Sequence, residues 1–144
     1  MKISTRTRYG VRAMVDLATH YRDKPILVRE IAERQSVSAK YLEHIMLALK
    51  KAGLVESMSG AKGGYLLMKE PSTITLLDVV KVLEGSMSPV PCVDHREMCD
   101  RSGYCRVVDV WDKVREAIDG VLSSVTIKDL VPEDESRDEL FYHI

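Results

Sequence analysis

Cysteine is scarce in this sequence and unevenly spread: three residues in 144, Cys92, Cys99 and Cys105, all within PCVDHREMCDRSGYC at 91–105. No apolar run approaches the length of a membrane-crossing helix, which argues against an integral helical membrane protein. The charged start MKISTRTRYG leads into no uninterrupted apolar stretch, so no secretory leader is expected. The address that follows is cytoplasmic, where thiols stay reduced. An odd cysteine count there argues against a disulfide framework and for metal or redox chemistry. The sequence also lacks a nucleophile–base pair and paired carboxylates flanking a plausible pocket, so an enzyme is not expected. MSGAKGG at 58–64 is glycine-rich, but it has neither the Gly-Lys-Ser/Thr ending nor the following helix of a phosphate-binding loop.

What is present is a chain of 45% hydrophobic residues, enough for one core with an appendage. The net charge of −1 conceals a split. Residues 1–64 hold twelve Lys/Arg against six Asp/Glu, and residues 65–144 hold nine against sixteen. A cationic head and an acidic body suggest that the head meets a polyanion; chance clustering on solvated faces is the alternative.

The periodicity predicts a helix from Thr5 to Tyr21, capped by Ser4, with Val11, Met14, Val15 and Ala18 inward. Arg6, Arg8 and Arg12 crowd its first turns, where the helix dipole prefers anions; a bound phosphate would relieve this. Val28, Ile31 and Ala32 form the stripe of a short helix broken at Ser36-Val37. Ser38 caps the next, whose inner face is Leu42, Ile45 and Leu49 and whose stop is Gly53. That is a helix-turn-helix pattern. Strands at 54–57 and 65–68, joined by the glycine-rich turn with Ser59 and Lys62, form a wing. The expected fold is mainly α with a small β-hairpin wing. It divides into a winged helix-turn-helix head over 1–70 and a cysteine loop plus long dimerisation helix over 71–144.

After Pro71, Thr75 and Asp78 form a capping box for a helix ending at Leu83 and Gly85. Beyond the loop, Val107, Trp111, Val114, Ile118, Val121 and Val125 recur at an average of 3.5 residues, a coiled-coil-like seam. An intrachain helix also needs an apolar stripe, but little chain remains to cover this one, so a homodimer is favoured. The tail PEDESRDELFYHI reads as an acidic linker and an apolar end. For the cysteines, C-x6-C-x5-C lacks the close pairs of structural zinc, and four-cysteine ligation is impossible within one chain. Free thiols, a mixed-ligand iron–sulfur site and a redox device remain open.

KISTRTRYGVRAM, SAKYLEHIMLALKKAGLVES, GAKGGYLL and the three cysteines, in this order, resemble the Rrf2 family of bacterial winged-helix regulators, which has IscR-like, NsrR-like and CymR-like branches. The resemblance implies a homodimeric transcription regulator on a pseudo-palindromic double-stranded DNA operator, with no membrane involved. The second helix would enter the major groove and the wing would follow the minor groove. It carries Ser38, Lys40, Tyr41, Glu43 and His44 onto the DNA-facing side, with Arg6, Arg8, Ser59 and Lys62 as further contacts. Lys40 and Tyr41 suit phosphates, His44 a base edge, and Glu43 a cytosine amino group, penalising wrong sequences.

The resemblance further implies an iron–sulfur cluster on Cys92, Cys99 and Cys105, 2Fe–2S in preference to 4Fe–4S, which handling in air can remove. Loss of the cluster would shift two recognition helices about 34 Å apart. Three positions depart from the pattern. Ser59 stands where IscR-like wings have arginine. Val108 stands where an IscR-like histidine ligand is expected, and Arg8 where NsrR-like members offer an acid. The fourth ligand is unassigned among His95, Asp94, Glu97, Asp100 and a partner-subunit group. LEGSMSPV and the ending LFYHI resemble the CymR-like branch, a cysteine-metabolism repressor that acts without a cluster and with cysteine synthase as partner. An NsrR-like nitric-oxide sensor is a third reading, and a small metal-binding scaffold comes from a different class.

Overall fold

The computed structural model describes residues 2–21 and 24–133. The tail from residue 134 onward, with its acidic stretch and LFYHI ending, lies outside the described residues. Six helices and one hairpin follow in order: α1 (Thr5–Thr19), α2 (Val28–Gln35), α3 (Ala39–Lys51), β1 (Val55–Met58), β2 (Gly64–Leu67), α4 (Leu76–Leu83), α5 (Pro91–Asp94) and α6 (Val108–Ser123). The starts of α1, α3 and α4 have local causes. Ser4 accepts from the Thr7 N–H at 3.2 Å and Ser38 from the Tyr41 N–H at 3.1 Å. Thr75 and Asp78 exchange the two bonds of a capping box. The turn between α2 and α3 is made by Ser36, in the left-handed region at φ 55°, which ends one helix and aims the next.

One hydrophobic cluster joins Ala13, Met14 and Leu17 of α1, Ile31 and Ala32 of α2, and Leu42, Ile45, Met46 and Leu49 of α3 to Val55 and Leu67 of the hairpin. Ile74, Val79, Leu83 and Ile127 belong to the same cluster, so α4 and the chain after α6 help build the core of the head. Gly10 shows how closely the helices approach: a Cβ there would lie 2.1 Å from Leu83 Cδ1 and 3.2 Å from Ile45 Cγ2. A smaller cluster of Val80, Met87 and Leu122, with Leu76, Leu77 and Ile118 against it, ties α4 to α6. Backbone bonds from Leu76 N–H to Val125 C=O (2.8 Å) and from Ile127 N–H to Ile74 C=O (2.9 Å) close that junction.

The hairpin pairs Val55 with Leu67 through Met58 with Gly64. It is also stitched to the segment before α2, where Ile26 and Tyr65 exchange both backbone bonds at 3.0 and 2.8 Å. This bridge fixes the wing relative to the head. No described helix is long and apolar enough to cross a membrane.

Candidate nucleic-acid interface and cysteine loop

Once Leu42, Ile45, Met46 and Leu49 turn inward, α3 is left with Lys40, Tyr41, Glu43, His44 and Leu47 on its exposed side. Ser38 stands at the head of this face, its hydroxyl engaged in capping. The Tyr41 ring meets Tyr9 edge-on at 6.2 Å, and the Arg12 guanidinium lies 5.3 Å from the Tyr9 centroid. Arg12 is itself held by the Gln35 side chain at 2.8 Å and the Gln35 carbonyl at 2.9 Å. Tyr9 thus joins α1 to the start of α3, and Arg12 joins α1 to the end of α2. The sequence marked Arg12 only as a misplaced charge and offered no sign of Tyr9. Arg6 and Arg8 are exposed on the first turn of α1, and Ser59 and Lys62 are exposed at the wing tip. Glu43, on the same face of α3, also lines a crevice of about 390 Å³ with Arg29, Ser57, Met58 and Tyr65. Burial, and then Glu43, raise the Tyr65 phenol above its usual pKa. Lys50, which sequence reasoning missed, reaches the Ser57 hydroxyl at 2.6 Å and braces the wing against α3.

At the N-cap of α1 stands the Glu84 carboxylate. It accepts from the Ser4 hydroxyl at 2.7 Å, the Ser4 N–H at 3.1 Å and the Thr7 hydroxyl. Thr7 is wholly buried, so its hydroxyl has no water to replace this acceptor. The Thr7 hydroxyl first, then Ser4, hold the Glu84 carboxyl below the usual carboxylate range, against an opposing effect of burial. The link joins the last turn of α4, immediately before the cysteine loop, to the helix that carries Arg6 and Arg8.

The consequence for pH has a definite sign. A depressed folded pKa contributes stability that is complete above the unfolded value near 4.5 and is lost as pH falls through the folded value. Glu84→Ala is expected to cost about 2 kcal/mol at neutral pH by leaving Thr7 without an acceptor. The gap from wild type is expected to narrow below about pH 4 as the wild-type carboxyl protonates. Denaturant unfolding at neutral and acid pH checks both.

In the cysteine loop, Pro91–Asp94 form a single helical turn and Arg96–Met98 a 3₁₀ turn, neither of which the sequence reading marked. Cys92, Cys99 and Cys105 are free and half-buried. Three soft thiolates match an iron–sulfur cluster chemically. Among the described residues, no three His, Cys, Asp or Glu side chains are grouped to hold a single metal ion; the ligands of a multi-iron cluster stand farther apart. The fourth-ligand candidates have partners of their own or are exposed. Asp94 accepts the Ser86 hydroxyl and, at 2.7 Å, the Ser88 hydroxyl. These hydroxyls, ahead of weaker help from Arg115 and His95, hold its carboxyl below the usual range. His95 and Glu97 face each other at 3.4 Å on the surface, and Asp100 is exposed. Arg96 pairs with Asp112 and anchors the loop to α6.

On α6 the inward positions are Val108 and Leu122. Of the seam residues, Val107, Trp111 and Val121 remain exposed at 50%, 37% and 66%, while Val114, Ile118 and Val125 are half-buried. In one chain the seam is therefore largely uncovered.

A helix-turn-helix capped by Ser38, followed by a hairpin bridged to the segment before α2, is the winged-helix class of DNA-binding protein. The chain belongs to the Rrf2 family: residues 3–133 match the family model described as "Rrf2: Iron-dependent Transcriptional regulator". It is similar to the HTH-type transcriptional regulator CymR of Bacillus subtilis (strain 168), with 38% identity over 98% of this chain and 97% of that one. The structure of B. subtilis CymR superposes with a TM-score of 0.74 over 90% of this chain and 95% of that one, at 40% identity. IscR of Photorhabdus laumondii is 36% identical over 96% of this chain and 84% of its own. The structure of T. potens IscR gives a TM-score of 0.73 at 42% identity, covering 90% and 85% of the two chains. The protein is a DNA-binding transcriptional regulator of this family, and not an enzyme.

Proposed function

We propose that the protein is a homodimeric regulator whose affinity for a pseudo-palindromic operator is set by the state of the Cys92–Cys99–Cys105 loop, through an iron–sulfur cluster or through the thiols themselves. Glu84 is the observation that carries this reading. It connects the residue before the loop to the N-terminus of α1, so a rearranged loop pulls on the helix that also supports Tyr41 through Tyr9. Lys40, Tyr41 and His44 on α3 and Lys62 on the wing would touch the two grooves. Arg6 and Arg8 would add phosphate contacts, and the seam of α6 would join the two copies. Glu43, set back beside the wing, would reject bases that present no amino group to it.

A second reading stands beside the cluster. A CymR-like repressor would use the thiols as they stand, alone or with cysteine synthase as partner; the likeness to CymR over nearly the full chain supports it. A nitric-oxide sensor has no observation of its own here. Anaerobic purification with visible spectra and assays for iron and acid-labile sulfide separates the two. The cluster reading expects a brown protein containing both elements that becomes colourless when all three cysteines are changed to serine. A colourless, metal-free wild type that binds operator tightly would overturn the cluster and leave the thiol reading.

A further inference from the structure

Where α4, the start of the cysteine loop and α6 meet, a cavity of about 330 Å³ is lined by Lys81, Ser86, Met87, Asp94, Arg115 and Asp119, among others. Its charges are only partly satisfied. Asp94 is occupied by the hydroxyls of Ser86 and Ser88, and Arg115 approaches it no nearer than 3.9 Å, beyond hydrogen-bond length. Arg115 Nε is closed off from solvent and has no hydrogen-bond partner among the described residues. Lys81 is exposed and Asp119 half-buried, and neither side chain has a hydrogen bond or ion pair among the described residues.

We propose that this cavity binds a small zwitterionic α-amino acid. The ligand carboxylate pairs with Arg115, whose planar fork matches it, and with Lys81. The ligand ammonium pairs with Asp119, and the short side chain rests on Met87, which is 8% exposed. A bare anion would meet Asp94 and Asp119, and a bare cation would meet Lys81 and Arg115; only a ligand with both signs complements the lining. The volume is that of a small-molecule site. Because α4, the loop and α6 all contribute, an occupant bridges the two ends of the loop region. The inference stands whether or not the three thiols hold a cluster.

The test is isothermal titration of the reduced full-length chain with each standard L-amino acid. Propionate serves as the carboxylate-only probe and ethylamine as the amine-only probe. The expected result is saturable binding of at least one small amino acid, with both half-probes weaker by roughly tenfold or more. Asp119→Asn and Arg115→Gln are each expected to lose a similar factor. Lys81→Gln, at an exposed position on α4, carries the test if Arg115→Gln does not fold. Absence of binding by every amino acid would overturn the proposal. So would propionate binding as tightly as the amino acid, or unchanged affinity in the variants.

Discussion

Gly64→Ala is expected to destabilise the protein by about 3 kcal/mol, through backbone strain of order 1–3 kcal/mol and the loss of bridge hydrogen bonds. Gly64 sits at φ 140°, a conformation that L side chains rarely adopt, and a Cβ there would lie 2.5 Å from the carbonyl carbon and oxygen of Ile26. Those atoms are backbone and cannot swing aside. The hairpin has to move off, which breaks the pair of bonds between Ile26 and Tyr65. The wing then loses this tie to the segment before α2, so operator affinity is expected to fall further than the loss of folded protein accounts for. A melting temperature lower by about 10 °C, measured beside operator affinity on the folded fraction, checks this. Gly60→Ala, at an open turn position with nothing within 4 Å, is expected to pay only the strain of its φ of 101° and to keep the bridge.

Arg34→Leu is expected to have an effect of similar size by a different route. Asp16 of α1 is 5% exposed in its side chain and takes two bonds from Arg34, at 2.9 and 2.6 Å, with Gln35 adding one at 3.3 Å. Removing the guanidinium leaves a buried carboxylate with one amide partner, and breaking a buried pair from one side costs about 3 kcal/mol. Asp16→Leu is expected to cost less, because Arg34 is 42% exposed and can turn to water. The double variant Asp16→Leu/Arg34→Leu is expected to recover part of the loss. A double-mutant cycle by urea denaturation measures the coupling. The pair sets the crossing of α1 and α2, and through α2 the direction of α3, so weakened operator binding is expected to accompany the loss of stability.

Neither result was legible in the sequence, and the physical reason is the same in both. The helices of the head could be read because their causes are local. Ser38 caps α3 from the adjacent position, Thr75 and Asp78 are three residues apart, and Leu42, Ile45 and Leu49 repeat at helical spacing. The hairpin was legible from its glycines, although each strand lies within one residue of its expected bounds and not on them. Gly64, by contrast, looks like any hairpin glycine until Ile26, far back in the chain, is brought against it. Glu84 is 80 residues from Ser4. No periodicity could connect them, so the carboxylate at the N-cap of α1 was not legible. The one-turn helix at Pro91–Asp94 carried a faint signal, proline at the first helical position, in a segment too short for periodicity to speak.

The candidate site divides along the same line. The exposed face of α3 followed from the inward face by subtraction, and Lys40, Tyr41, Glu43 and His44 all lie on it. Spacing along the chain says which thiols belong to one loop, but it does not fold that loop, and among the described residues no three His, Cys, Asp or Glu side chains gather around a single-ion site. The role of the loop therefore rests on its attachments: Glu84 to α1, Arg96 to Asp112 and Met87 to the α4–α6 junction.

The measurement that bears most directly on control of the DNA-binding head by this loop is operator affinity as a function of cysteine state. A double-stranded operator would first be selected from random DNA with wild-type protein. Its affinity would then be followed by fluorescence anisotropy at fixed salt, anaerobically and after exposure to peroxide, for wild type and for the variant with Cys92, Cys99 and Cys105 all changed to serine. The expected result is a change of at least about fivefold in the wild type and none in the variant. Equal affinities for the wild type in both states would contradict it.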